Sequence, residues 1–120
     1  ICGRTVVECI LVDEGPGDGG LAVVPFCHKA NFPLPKSLSL YEGYRDYVKE
    51  VHVEAGDVVI FTEALTHGTL VWQGDHQRRA LLYKYSPHFQ YVARGYHKAE
   101  LPEFCKDMTD EQQAMMPPPA

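Results

Sequence analysis

Hydrophobic and polar positions divide this chain into short apolar runs separated by turn-forming residues. From Ile1 to Val12 it is rich in Val, Ile and Thr without helical spacing, and reads as a strand buried on both faces. The stretch Asp13-Glu14-Gly15-Pro16-Gly17-Asp18-Gly19-Gly20 is a loop, because Gly supplies positive φ and Pro blocks a helix. Leu21 to Phe26 is a second strand, and the two strands with their Gly-rich connection predict a hairpin with a long loop. From Cys27 to Ser39, Pro33 and Pro35 forbid regular structure. Ser39 followed by Glu42 is a capping-box pattern, and Tyr41, Tyr44, Tyr47 and Val48 repeat at helical spacing. Together they predict a short surface helix over 40–49.

Further on, Val51-His52-Val53 reads as a short strand, Glu54-Ala55-Gly56-Asp57 as a tight turn and Val58 to Phe61 as another strand. Thr69–Trp72 and Ala80–Tyr85 are two more, separated by the polar loop Gln73–Gln77. Thr109 with Gln112 makes a second capping box, opening a helix that Pro117 ends. There is no internal repeat and no linker. Many short strands with peripheral short helices predict an all-β sandwich or barrel.

Composition narrows the function more than the fold. The formal charge of −5 argues against nucleic acid or an anionic membrane, which want a basic face, so neither is expected as a partner, though a net charge leaves room for a local basic patch. No apolar run reaches the roughly 18 residues that span a bilayer. The four cysteines include no CxxC pair, which argues against structural zinc and for reduced thiols in an intracellular, cytoplasmic protein. Ile1-Cys2-Gly3-Arg4 shows neither a start methionine nor a signal-peptide pattern, so the chain reads as starting within a larger domain, although a processed chain would look the same.

Several patterns tempt and are set aside. Gly15-x-Gly17-x-x-Gly20 matches the dinucleotide fingerprint in form, but Pro16 sits inside it and a strand follows where a helix is required. His52-x-Glu54 puts two possible ligands on one face of a strand, yet a strand end in solvent is the plainer account. Cys27 and His28 are adjacent and point apart in an extended chain, so they do not form a nucleophile and base. His28, His76, His88 and His97 lie in or near polar loops and read as solvated.

The remaining constellation begins at Gly56. Gly-Asp-Val-Val-Ile-Phe runs from a turn into an apolar strand, Glu63-Ala64-Leu65-Thr66-His67-Gly68-Thr69 follows, and Arg78 lies eleven residues beyond His67. Gly68 lets the backbone approach a metal held by His67, and Arg78 offers a planar fork for a carboxylate. Spacing alone also permits a strand histidine and a surface arginine.

At these residues the chain resembles the phytanoyl-CoA dioxygenase family. The matching blocks are Gly-Asp-Gly-Gly-Leu-Ala-Val-Val-Pro…His-Lys (17–29), Ala-Gly-Asp-Val-Val-Ile-Phe (55–61), Leu-Thr-His-Gly-Thr (65–69) and Arg-Arg-Ala-Leu-Leu-Tyr-Lys-Tyr-Ser (78–86), in the family's order. The ending, Leu-Pro-Glu-Phe…Thr-Asp-Glu-Gln-Gln, also looks like tails of some members. The resemblance implies a partial double-stranded β-helix (a jelly-roll, cupin-like fold) that binds Fe(II) and 2-oxoglutarate as cosubstrate and oxidises a small organic or acyl-CoA-type substrate, with release of succinate and CO2.

The same resemblance assigns His67 to the metal and Arg78 to the distal carboxylate of 2-oxoglutarate. Thr69 is a second cofactor-side candidate, equally readable as a strand threonine. Arg79 is the rival of Arg78, and strand alternation sends it to the opposite face, leaving Arg78, Ala80 and Leu82 on the inner one. Lys84 shares that parity and reads as a solvated strand end.

Two departures follow. Phe26-Cys27 stands where the family has a Gly-Ser or Gly-Thr pair, which alters the entrance to the site. The family's His-x-Asp pair is expected upstream of residue 1, and His52-Val53-Glu54 falls on the wrong strand to replace it. Residues 1–120 are thus expected to be the C-terminal part of one oxygenase domain, inactive alone for want of two iron ligands. A halogenase, an oxoacid-binding relative without turnover and a non-catalytic β-sandwich or cupin-like small-molecule module remain open.

Overall fold

A computed structural model describes residues 3–39, 45–87 and 103–115. The chain divides into two compact units, residues 1–90 and 91–120.

In the first unit, β1 (Thr5–Ile10) buries alternate residues, Val6, Glu8 and Ile10, while Val7 and Cys9 stay half-buried. It is the centre of a three-stranded antiparallel sheet, flanked by β4 (Val58–Thr62) and β6 (Ala80–Tyr85). Val6 stands opposite Phe61 and Lys84, Glu8 opposite Val59 and Leu82, and Ile10 opposite Ala80. A second three-stranded antiparallel sheet has β2 (Gly20–Val23) between β3 (Lys49–Glu50) and β5 (His67–Leu70). Its register sets Val23 against His67 and Leu21 against Thr69.

Val6 and Phe61 from the first sheet meet Leu21 from the second in a buried core, with Val23, Val51, Val59 and Leu65 packed around it. The sheets therefore face each other, and the chain crosses between them repeatedly: β1 in one, β2 and β3 in the other, then β4, β5 and β6 alternating. The result is mostly β with a few short helices, as the turn spacing predicts.

The segment between β1 and β2 is a crossover rather than the expected hairpin, because both edges of β1 are taken by β4 and β6. Gly19 and Gly20 adopt φ of 89° and 85°, and an added Cβ at Gly19 would lie 2.3 Å from the Val71 carbonyl oxygen. Gln73 N–H donates to the Asp18 carbonyl at 2.7 Å, so the crossover lies against the chain leaving β5. β1 is buried on one face, where Val6 and Ile10 lie, rather than on both.

Other boundaries move for identifiable reasons. Pro35 precedes α1 (Lys36–Ser39), where a missing N–H costs nothing, and its carbonyl accepts from Leu38 N–H at 3.0 Å. Of the helix expected over 40–49, residues 40–44 lie outside the described residues, Arg45–Tyr47 is a single 3-10 turn, and Lys49-Glu50 pairs with Val23-Ala22 as β3. Val53 forms an isolated bridge with Glu14 instead of a strand. β5 begins at His67, two residues before the predicted strand.

In the second unit a 3-10 turn, Glu103–Asp107, precedes α2 (Asp110–Ala114). Its capping box forms as predicted: Gln112 N–H donates to Thr109 Oγ1 at 3.3 Å and Thr109 N–H to Gln112 Oε1 at 2.9 Å. Pro117 lies outside the described residues. Among the described residues no helix is long and apolar enough to cross a membrane, and Cys9, Cys27 and Cys105 are free thiols.

Candidate functional site

His67 opens β5 as an exposed residue, on the strand face that carries Val23 and Leu21 across the ladder. Its cross-strand partner Val23 packs against the core, and its ring meets Phe61 edge-on at 4.8 Å. Nδ1 lies 2.8 Å from the Leu65 carbonyl oxygen. A carbonyl only accepts, so Nδ1 carries the proton and the Nε2 lone pair is available to a metal. Thr69, two residues on, faces the same way opposite Leu21. The strand entrance is tied down from the other side: Thr66 N–H donates to Cys27 Sγ at 2.9 Å. A serine or threonine oxygen at position 27 could accept the same bond.

Arg78 lies just before β6 and turns its side chain towards β1 and the crossover. Nη2 donates to Glu8 Oε1 at 2.7 Å, and Nε lies 2.9 Å from Glu14 Oε1. The second contact is close but misaligned, so it acts as an ion pair without a hydrogen bond. The arginine side chain is 21% exposed while those of Glu8 and Glu14 are 2% and 0% exposed. Burial works against the guanidinium charge, and the two carboxylates outweigh it, raising its pKa above the ordinary arginine value. Five N–H groups exceed these two contacts, so the fork keeps donors for a further carboxylate. Arg79 turns to the other face as alternation predicts and donates to Gln77 Oε1 from Nε and Nη2.

The spacing of the two groups follows from the register. His67 packs on Phe61, whose partner is Val6, and Arg78 binds Glu8, two residues further along β1. The β1 residues that these contacts lead to, Val6 and Glu8, are roughly 7 Å apart along the strand at a rise of about 3.3 Å per residue. By donor type alone, an imidazole suits a metal ion and a guanidinium suits a carboxylate.

Near the histidine end, Lys84 is opposite Val6 and forms a 2.7 Å ion pair with Glu63. The close Lys84 ammonium, opposed by burial, holds the Glu63 carboxyl below the usual carboxylate range. Lys84 is therefore half-exposed but partnered, where sequence reading expected a solvated strand end. Beside Thr66 a groove of about 690 Å³ is lined by Val24, Phe26, Phe32, Leu34 and Tyr47, with Lys29 at its side.

Glu8 and Glu14 escape the sequence reading. The available signal was an acidic residue at the inward parity of Val6 and Ile10, where an unpaired charge is rarely tolerated. Other candidates resolve as expected. His52 is exposed and pairs with Glu50 at 3.3 Å, and His28 is exposed. His76 braces its loop, with Nε2 3.1 Å from the Asp13 carbonyl and its own carbonyl accepting from Trp72 Nε1 at 2.6 Å. His88 and His97 lie outside the described residues. Among the described residues no group of three or more His, Cys, Asp or Glu side chains is gathered to hold a metal.

The two facing sheets have the fold of a 2-oxoglutarate-dependent oxygenase of the cupin type. The solved structures that bear this out are of HygX from Streptomyces hygroscopicus. The form with nickel, 2-oxoglutarate and hygromycin B bound is 32% identical to this chain, with a TM-score of 0.64 over 73% of this chain and 37% of HygX. The apo form is 31% identical with a TM-score of 0.63, covering 73% of this chain and 39% of HygX. The chain spans well under half the length of the HygX structures it matches. No protein-family model matches the sequence, and no curated protein matches it.

Proposed function

We propose that this chain is the C-terminal part of an Fe(II)- and 2-oxoglutarate-dependent dioxygenase domain of the double-stranded β-helix type, acting on a small organic molecule. The observation that carries the reading is the likeness, at 32% identity, to HygX, whose structure holds nickel (a stand-in for iron) and 2-oxoglutarate. The residues supply support of their own. His67 offers Nε2 to the iron, with its tautomer fixed by the Leu65 carbonyl. Arg78 takes the distal carboxylate of 2-oxoglutarate with the donors Glu8 and Glu14 leave, and Thr69 lines the path between.

When bound, iron and 2-oxoglutarate supply an oxidative decarboxylation that gives succinate and CO2 and an oxidant for a substrate C–H bond. The chain's own residues position these partners. Phe61 and Val6 keep the histidine end apolar, and a cavity of about 200 Å³ that His67 lines with Val23, Leu38 and Val48 leaves room for a small organic substrate. The other two iron ligands, a His-x-Asp pair, belong to sequence upstream of β1. That segment would extend the sheets at terminal strands such as β5 and β6.

The test is succinate formation from 2-oxoglutarate with ferrous iron by the full-length protein, beside His67→Ala and Arg78→Ala. Arg78→Ala leaves two buried carboxylates without a cation, a loss of about 3–5 kcal/mol, so Arg78→Lys, which keeps the charge without the fork, accompanies it. Succinate from the wild type, none from the histidine variant, and a raised 2-oxoglutarate requirement in the lysine variant are expected. Equal inertness of all the proteins, without iron binding, rejects the proposal.

One observation favours a second reading. Arg78 is already paired with two buried glutamates, as a purely structural arginine would be. In a non-catalytic cupin-like binding module Arg78 would do nothing more, and Arg78→Lys would then alter stability while leaving oxoacid affinity unchanged.

A further inference from the structure

Around Arg78 the structure assembles more negative charge than positive. Glu8 and Glu14 both lie within 2.9 Å of the guanidinium and both are buried, so one cation answers two carboxylates. Beside the two carboxylates lie apolar and backbone groups: Glu8 is flanked by Val59 and Leu82, Glu14 is bridged to Val53, and β2 presents Gly20. Glu14 cannot swing aside. A Cβ at Gly20 would lie 2.3 Å from Glu14 Oε2 and 3.1 Å from Arg78 Nε, so Glu14 is wedged against backbone.

We propose that Glu8 and Glu14 set the charge of the cosubstrate anchor, turning Arg78 from an ionic clamp into a charge-neutralised hydrogen-bonding fork. Such a fork holds the distal carboxyl of a five-carbon 2-oxo diacid loosely and accepts the uncharged carboxamide in its place. The inference rests on the reading of Arg78 as the oxoacid anchor and adds what that anchor discriminates. A carboxylate seated on the fork lies next to one positive charge and only a few ångströms further from two negative ones. Because Coulomb energy falls only as the reciprocal of distance, the repulsions cancel most of the attraction. The hydrogen bonds remain, since they depend on where the N–H groups point. Glu8 and Glu14 act through Arg78 and are positioning residues, with their charge as the functional property.

The deciding experiment is calorimetric titration of the full-length protein, loaded with a redox-inert divalent metal, with 2-oxoglutarate and with its 5-carboxamide. In the wild type the carboxamide is expected to bind within about tenfold of the diacid, and in Glu8→Gln, whose amide oxygen still accepts from Nη2, the diacid is expected to tighten by about tenfold with the carboxamide unchanged. Glu14→Gln should move in the same direction. A merely structural role for the glutamates predicts the opposite, since loosening the fork weakens both ligands. A carboxamide more than about tenfold weaker in the wild type, or a diacid affinity unchanged or weakened in Glu8→Gln, overturns the inference. If the glutamine variants fail to fold, the wild-type ratio decides by itself. Binding of neither ligand removes the anchor reading and this one with it, whereas tight diacid and poor carboxamide binding removes this one alone.

Discussion

Phe26 has φ of 67°, in the left-handed region, and is the non-glycine residue found there among the described residues. Its side chain is 82% exposed, so few contacts compensate the strain. The left-handed conformation costs roughly 1–2 kcal/mol, and glycine returns part of any gain through the freedom of the unfolded chain. Phe26→Gly is therefore expected to raise stability by about 0.5–1 kcal/mol, read from the denaturant midpoint. The family resemblance expects Gly-Ser or Gly-Thr at 26–27, and the backbone still has the shape that a glycine would choose. Cys27→Ser should stay within about 0.5 kcal/mol of the parent, because a hydroxyl accepts from Thr66 N–H as the sulfur does. A large loss there would mean that the size of the sulfur matters rather than its acceptor role.

At the scale of elements, the crossover from β1 to β2 is held by one carboxylate. Glu50 on β3 accepts from Gly19 N–H at 2.7 Å and Gly17 N–H at 3.1 Å, so a loop without regular structure has its amides satisfied. Burial pushes the Glu50 carboxyl up, but the amides of Gly17 and Gly19 and the neighbouring His52 together bring it below its ordinary 4.5. A depressed carboxyl stabilises the fold above the unfolded value, and this contribution disappears as pH falls through the folded one. Glu50→Gln should cost roughly 0.5–1 kcal/mol near neutrality and flatten the acid limb of the stability profile. Faster amide exchange at Gly17 and Gly19 is the local counterpart. Unchanged exchange would show that the glycine turns hold themselves.

For the whole molecule, the feature with most consequence is its terminal strands. Among the described residues β3, β4, β5 and β6 each end a sheet, and β6 exposes Leu81, Tyr83 and Tyr85 on one face and Leu82 on the other. Unpaired edges of this kind recruit other chains. Residues 1–120 by themselves are expected to self-associate in sedimentation velocity and to lack turnover, while a chain extended upstream of β1 stays discrete. A monodisperse, monomeric chain at high concentration would count against the proposed upstream pairing.

What the sequence determined lies at short range. Val58 to Phe61 and Ala80 to Tyr85 are strands in both readings, and the Glu54–Asp57 turn closes as expected, with Gly56 at φ 100°. So does the capping box at Thr109, because each is set by neighbours within a few residues. The inward parity of Arg78, Ala80 and Leu82 was also legible, since alternation along a strand needs no partner to define it. Tertiary structure alone decided which strands pair. The Gly-rich loop reads equally well as a hairpin or a crossover, and only the occupation of both edges of β1 excludes the hairpin. It also decided what Arg78 meets. Glu8 and Glu14 lie 70 and 64 residues before it, and no local pattern announces that two acidic side chains so far away will close on one guanidinium. Ion pairs of that range are fixed by sheet register and burial, which come into being only when the chain has folded.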